Sequence, residues 1–364
     1  MLLCKTCNAA NGNAFAEGQC YICGGGALKV HEMMAEASRL LSGASSFSIS
    51  TVLPRDWLAR EEKAWDARLG GAESIKNHLN RTISAGLGKA MEYDKEGEVR
   101  AVFDFETGKV SLARNELFIF GRYRKIAAGL SQSRWVCSAC DGKGCAKCQN
   151  KGKFYESVEE RVGEPLKKAF SAEGYVLHAS GREDVDATNS AGRPFVMELK
   201  AAAGRRADLD EAAKEIAGSG EVSVSDLKIV PRTFVEMVTE SHFDKAYEAE
   251  VEFGREITDD DAIRVRSLEG KTILQETPTR VAHRRADLVR HRKLKHVEVV
   301  NVRGNRASLL VKAEAGTYIK ELISGDRGRT NPSIAGELKT GAVCTKLNVS
   351  MIDDGYLDFV LART

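Results

Sequence analysis

Two sets of side chains in this sequence are spaced for chemistry. Eight of the nine cysteines form C-x-x-C pairs: Cys4 with Cys7, Cys20 with Cys23, Cys137 with Cys140, and Cys145 with Cys148. Each pair makes a knuckle that presents two thiolates, and two knuckles complete a tetrahedral zinc site with no open position for catalysis. Twelve residues separate the first two pairs, and Gly24 to Gly26 follow them. Only Asp141 to Gly144 separate the other two, and the glycines there allow the tight reversal that would gather four sulfurs. Structural zinc is expected at both clusters. Redox chemistry is the alternative at the first, although a lone reactive pair needs no second one. Cys344 is left over and reads as a buried apolar thiol.

The second set begins in Ser180 to Ala187, S-G-R-E-D-V-D-A, which follows the apolar run Tyr175, Val176, Leu177. A strand here would deliver a carboxylate and an arginine two residues apart into a loop. Either Asp184 is a nucleophile with Arg182 steering a phosphate or sugar, or Asp184 and Asp186 cap a turn and Arg182 is solvated. A buried nucleophilic carboxylate needs a cation to remain ionised, and Lys320, where Gly316-Thr317-Tyr318-Ile319 enters a helix, is the candidate. Otherwise Lys320 is a surface lysine. Tyr247 either starts the core face of its strand or stacks on a planar base at the mouth of a cleft.

Positioning these groups falls to an α+β chain. A helical pattern runs from Val30 to Leu41, an alternating run follows over Phe47 to Leu53, and Pro54 opens a helix bearing Trp57, Leu58 and Trp65. A helix over Glu73 to Met91 and strands at Val99 to Phe105, Lys109 to Leu112 and Leu117 to Phe120 complete the first domain. Its exit, Gly121-Arg122-Tyr123-Arg124-Lys125 with Arg134 and Trp135, is either a platform for phosphates and bases or a solvated charge run. Ser157 is placed to cap a helix with Glu160, though Gly163 and Pro165 could delay its start. Helix Ala207 to Ala217 and strand Val222 to Val230 follow. Lys245 to Phe253 is the clearest strand, with Tyr247, Ala249, Val251 and Phe253 on one face and three glutamates on the other. Thr258 with Asp261 opens a short helix. Thr277 to His296 is the densest cationic stretch, with Arg284, Arg285 and Arg290 on strand-like segments that would face a phosphate backbone. A hairpin turns at Arg303-Gly304-Asn305, and Gly325 to Thr330 is a glycine loop carrying Arg327 and Arg329.

The 364 residues carry 54 basic and 52 acidic side chains, so a net charge of +2 leaves any polyanion site to local clustering. The length suggests two or three domains, here 1–26 as a zinc knuckle, 27–135, 136–153 with the second cluster and a linker, and 154–364. No apolar stretch is long enough to span a bilayer and Met1 to Cys7 lacks a signal-peptide pattern, so a cytoplasmic protein is expected. No glycine-rich nucleotide loop has the required spacing. His296-Val297-Glu298 lacks the downstream cysteine pair of a deaminase, and there is no nucleophile elbow. RNA binding plus one carboxylate, with closed metal sites, survives.

Five motifs in order, G-R-E-D-V-D, R-P-F-V-M-E-L, K-A-Y-E-A-E-V, T-P-T-R-V-A-H-R-R and G-T-Y-I-K-E-L-I-S-G-D-R-G-R-T-N-P-S, resemble those of archaeal-type tRNA pseudouridine synthases acting on uridines 54 and 55 of the TΨC arm. The likeness spans nearly all of the C-terminal half and extends more weakly through G-R-Y-R-K and the cysteine clusters. It implies a catalytic domain on a mixed, largely antiparallel sheet with flanking helices, after a zinc-bearing domain with a THUMP-like RNA-binding region. It implies Asp184 as nucleophile, Tyr247 packing on the target base and Lys320 as the basic partner, with no catalytic cofactor and tRNA as substrate. Arg182, Tyr318, Arg284, Arg285, Arg327 and Arg329 are the expected substrate contacts. The chain departs at Thr188-Asn189-Ser190-Ala191, where relatives carry a more apolar stretch with a further arginine.

Overall fold

The computed structural model describes residues 1–44, 46–66, 72–95, 97–281 and 286–363. It divides into two compact units: residues 1–116 with 171–173 and 200–205, and the remainder.

In the first unit, a four-stranded sheet runs in the order Glu92–Tyr93, Ser46–Val52, Val99–Asp104, Lys109–Arg114. The first three strands are parallel and the last pairs antiparallel. Val99–Asp104 alternates buried and half-buried residues, so Val99, Ala101 and Phe103 share one face. Helices Val30–Leu40, Arg55–Trp65 and Ile75–Leu87 supply Met33, Ala37, Trp57, Leu79 and Ile83 to the same core. The last is shorter than the span read from sequence because Ser74 caps it, its hydroxyl accepting from Asn77 N at 3.1 Å.

The second unit is built on a ten-stranded sheet. Its path is Val222–Val230, Leu117–Lys125, Thr188–Lys200, Ala342–Ile352, Lys245–Phe253, Arg306–Ala313, Arg290–Arg303, Thr272–Gln275, Thr330–Asn331, and Gly174–Ala179 pairs with Thr188–Lys200 off it. Along that path the pairing is antiparallel except at one place, where Thr188 and Asn189 run parallel to Asn348 and Val349. Helices flank the sheet, including Val158–Ala169, Leu209–Ala217, Thr233–Thr239 and Gly355–Leu361. The mixed, largely antiparallel sheet with helices is the architecture expected.

Three local readings change. Leu117–Lys125 is buried on both faces over its first five residues and sits inside this large sheet, so 117–135 and the second cysteine cluster fold with the second unit. Thr188 to Ala191 is the start of a 13-residue strand rather than a loop. Among the described residues of the cationic stretch, Thr279–Val281 is a 3₁₀ turn and the strand begins at Arg290. The hairpin turning at Gly304 and Asn305, the Thr258 cap and the Ser157 cap all form, and the Ser157 helix begins at Val158 despite Gly163 and Pro165.

Candidate active site

One row of paired residues crosses the second unit's sheet beneath the Asp184 loop: Lys125 with Asn189, Asn189 with Val349, Val349 with Tyr247, Tyr247 with Val311. The parallel contact in this row is only two residues long, so the sheet opens beside it. Into that opening Gly174–Ala179 and Thr188–Lys200 hang the loop that carries Asp184. A cleft of ≈ 630 Å³ results, lined by Arg182, Asp184, Tyr247, Arg280, Tyr318 and Lys320 among others. That volume lies within the roughly 300–1,000 Å³ usual for small-ligand sites.

Asp184 sits between two cations. Arg280 Nη1 donates to its Oδ1 at 2.7 Å, and Lys320 Nζ lies 3.5 Å from its Oδ2. Arg280 is fixed from behind by Glu321, Nε to Oε1 at 2.6 Å. Lys320 makes its shorter bonds to both oxygens of Asp186, at 2.6 and 2.7 Å. Burial works against the Asp186 carboxylate, but these bonds outweigh it and hold its pKa down. Lys320 is thus shared between two aspartates. Arg280, the nearer partner of Asp184, was not picked out by sequence reasoning, although it lies in T-P-T-R-V and opens the cationic stretch.

The loop is braced from below. Lys125, almost wholly buried, donates to the carbonyls of Asp184 at 3.0 Å and Val185 at 2.9 Å. Glu183 and Arg193 pair at 2.7 Å with both side chains 1% exposed, and Arg193 also donates to Ser180 O at 2.6 Å. Tyr123 donates to Glu183 at 2.8 Å and accepts from Gln132. Within G-R-Y-R-K, Tyr123 and Lys125 are therefore turned inward as supports of the loop, while Arg124 stays exposed and donates to Ser190 O at 3.1 Å. Alternation along the strand buries Tyr123 and Lys125, while Arg122 is taken up by Asp226, Asp354 and Asp358.

Tyr247 is buried against this network, and burial pushes its phenol up to about 12, with Arg193 opposing and Glu183 adding. The phenol stays protonated at neutral pH and is suited to packing on a ring rather than to taking a proton. Lys245, two residues earlier, is lowered to about 8 by burial and by Arg193. Arg290 lies over the Tyr318 ring at 5.6 Å, and Gln275 fixes Tyr318 through its backbone N and O.

The other expected contacts divide. Arg182 is exposed and lines the cleft. Arg329 is held by Thr277 O, Glu276 and Asp287 outside the lining, and Arg327 is exposed in a left-handed turn at φ 58°. Arg284 and Arg285 lie outside the described residues.

Both cysteine sets close. Within each, the four sulfurs lie within 4.8 Å of one another. Cys4 and Cys23 are 3.6 Å apart, and Cys137–Cys145 and Cys140–Cys148 3.9 and 3.8 Å. A tetrahedron of thiolates about 2.3 Å from a metal has edges of about 3.8 Å, so both donor sets fit a metal ion. Cys344 is half-buried, and burial raises its thiol to about 11.

Residues 118–353 match the family model described as Pus10, C-terminal. The chain is 37% identical over 96% of its length, and 96% of the relative's, to a tRNA pseudouridine synthase Pus10 of Korarchaeum cryptofilum. It is 36% identical to that of Archaeoglobus fulgidus, covering 96% of this chain and 99% of the relative. With that of Methanothrix thermoacetophila it shares 40% identity over 76% of this chain, spanning 63% of the longer relative. Among solved structures, a Cbf5-Nop10-Gar1 complex is similar with a TM-score of 0.32 at 22% identity, covering 51% of this chain and 43% of that one.

Proposed function

This chain belongs to the Pus10 family of tRNA pseudouridine synthases, and from that premise we propose that it converts uridines 54 and 55 of the TΨC arm to pseudouridine, with Asp184 as nucleophile. The observation that carries the reading is the Asp184 carboxylate, 2.7 Å from Arg280 and 3.5 Å from Lys320, in a cleft that also holds Tyr247.

The target uridine is extruded at a cost of a few kcal/mol, which packing on Tyr247 and phosphate contacts from Arg182 offset. A carboxylate oxygen of Asp184 bonds to ribose C1′ as the C1′–N1 bond breaks, and uracil leaves with the electron pair. Held in the cleft, the base turns. Its C5 bonds to C1′ and displaces Asp184 as a carboxylate; the C5 proton then passes to water and N1 takes one up, which restores the aromatic ring with no net change in protons. Atoms and electrons are conserved, so the isomerisation itself consumes no co-reactant. Arg280 and Lys320 keep the carboxylate aimed and compensate its charge before attack and after release.

The two cysteine sets are proposed to hold structural zinc, supported by their sulfur spacing. Each would supply rigidity, since four thiolates leave no position open for substrate. The first unit is proposed as a THUMP-like RNA-binding domain, and the cytoplasm as the site of action. Among the described residues, no helix is long and apolar enough to cross a membrane.

Incubation with unmodified tRNA transcript, followed by carbodiimide-blocked primer extension, tests the activity position by position. Asp184→Ala is expected to abolish product in a single turnover while tRNA still binds. Near-normal conversion by that variant removes the nucleophile assignment.

A further inference from the structure

The second cysteine cluster begins two residues after Trp135, which lines the Asp184 cleft in the same unit. Its hairpin closes through a Val136–Lys153 bridge, with Cys137 N donating to Gly152 O at 2.9 Å. The two legs approach so closely that a Cβ on Gly152 would meet Gly142 O at 2.3 Å. So short a segment cannot build an apolar core, and a metal held by its four converging sulfurs would be what stiffens it.

At the neck of this hairpin three rings cluster. Trp135 lies 5.6 Å from Tyr155 at 45° and 6.3 Å from Phe154 at 77°. Phe154 and Tyr155 are 39% and 40% exposed, and Trp135 lines the cleft itself. The neck is anchored by Arg134 N donating to Glu159 at 2.8 Å. Between residues 134 and 153 there are five cations, Arg134, Lys143, Lys147, Lys151 and Lys153, against a single acid, Asp141. Lys143, Lys147 and Lys151 are exposed, and none of them lies in a salt bridge among the described residues.

We propose that this hairpin is an RNA-contacting element whose neck, centred on Trp135, stacks an unpaired base adjoining the target uridine while its three lysines take the flanking phosphates. The inference rests on the function proposed above. Aromatic rings interleaved with cations form the surface that holds single-stranded nucleic acid, because every base offers a π-face and every nucleotide a phosphate. Continuity with the cleft places that surface beside the extruded nucleotide. A base extruded from a stack leaves its neighbour without a stacking partner, and a ring already held in place can take over that role at small entropic cost.

The test measures binding of the full chain to unmodified tRNA transcripts, intact or abasic at the nucleotide on either side of the target. Wild-type protein is first shown to form pseudouridine in the intact transcript; failure there is failure of the proposed function, whereas stacking is judged on binding. Trp135→Ala is expected to weaken binding of the intact transcript roughly 5- to 150-fold, the span of one lost stacking contact, and Trp135→Phe to recover most of it. One abasic transcript should lose a similar factor with wild-type protein, and combining it with Trp135→Ala should lose no more. Losses that multiply, or Trp135→Ala binding within twofold of wild type, overturn the stacking. Should Trp135→Ala melt early, wild-type protein binding every abasic transcript as tightly as the intact one overturns it equally. Replacing Lys143, Lys147 and Lys151 together by Gln is expected to lower the slope of log Kd against log salt by roughly 2–3. An unchanged slope removes the phosphate contacts.

Discussion

Among the described residues Asp184 is the carboxylate on which both Arg280 and Lys320 converge, and each of those cations also holds a second acid, Glu321 and Asp186 respectively. Arg280 bridges Asp184 and Glu321 with separate nitrogens, a geometry an ammonium cannot reproduce. Arg280→Met is therefore expected to lower the single-turnover rate about 10²–10³-fold, the usual cost of removing a preorganised polar partner, with tRNA affinity changed little. Arg280→Lys should recover only part, and an unchanged rate would mean that Lys320 alone suffices. Lys245 gives a pH-dependent prediction. Burial lowers its folded pKa to about 8 from 10.5, so between those values the unfolded chain binds more protons and this group makes stability rise with pH. Lys245→Met lacks that term. The variant should melt higher than wild type below pH 8, and its advantage should shrink as pH climbs toward 10.5; a gap constant with pH would remove the assignment. Of these groups, Asp184 and Lys320 were legible because each stands at the end of a recognisable run. Arg280 was not, since its partner lies 96 positions away and nothing local marks the pairing.

Elements were legible where their period was local. Lys245–Phe253 and Val222–Val230 form over the spans their alternation predicts, because each side of the strand meets a different environment. Leu117 to Phe120 reads as a strand of the first domain, whereas the strand runs on to Lys125 and belongs to the second unit. Its partners, Val222–Val230 and Thr188–Lys200, are distant in sequence, and its first five residues are buried on both faces and carry no alternation to show which sheet they join. At Val158–Ala169 the breakers Gly163 and Pro165 left a later start open, and the Ser157 cap is the one that forms. Gly163 is there because helix and strand approach so closely that a Cβ would lie 2.3 Å from the Tyr175 ring. The start of that helix is fixed by Ser157, which accepts from Glu160 N at 3.2 Å and donates to the Glu160 carboxylate at 2.7 Å. Ser157→Ala should destabilise the second unit by about 1 kcal/mol, read from chemical denaturation. Because Glu159 of the same helix holds Arg134 N, the loss should also loosen the cysteine hairpin. Hydrogen exchange at residues 134 to 137 would report it, and unchanged protection there would separate the hairpin from the helix.

At the scale of the molecule, the two cysteine sets do different work because they sit in different surroundings. Cys4, Cys7, Cys20 and Cys23 are buried in the same apolar cluster as Leu3, Ile22, Val30 and Phe47, so the first unit's core is built around them. The second set occupies a hairpin whose neighbours are largely exposed, while the core cluster around Tyr247, Val251, Leu309 and Ile323 has Cys344 packed against it and includes none of Cys137, Cys140, Cys145 and Cys148. Buried thiols stripped of a metal become unpaired polar groups in an apolar core, whereas in the second set only Cys137 and Cys148 are buried, and Cys140 and Cys145 are partly open to solvent. Two cores of this kind are expected to melt as two calorimetric transitions, which a single unfolding free energy would not describe. Cys4→Ser with Cys7→Ser should then lower or abolish one transition and leave the other within a few degrees. Cys137→Ser with Cys140→Ser should leave both transitions nearly in place and weaken tRNA binding instead. If the second pair of substitutions unfolded the Asp184 unit, the hairpin would be part of its core rather than an appendage to it.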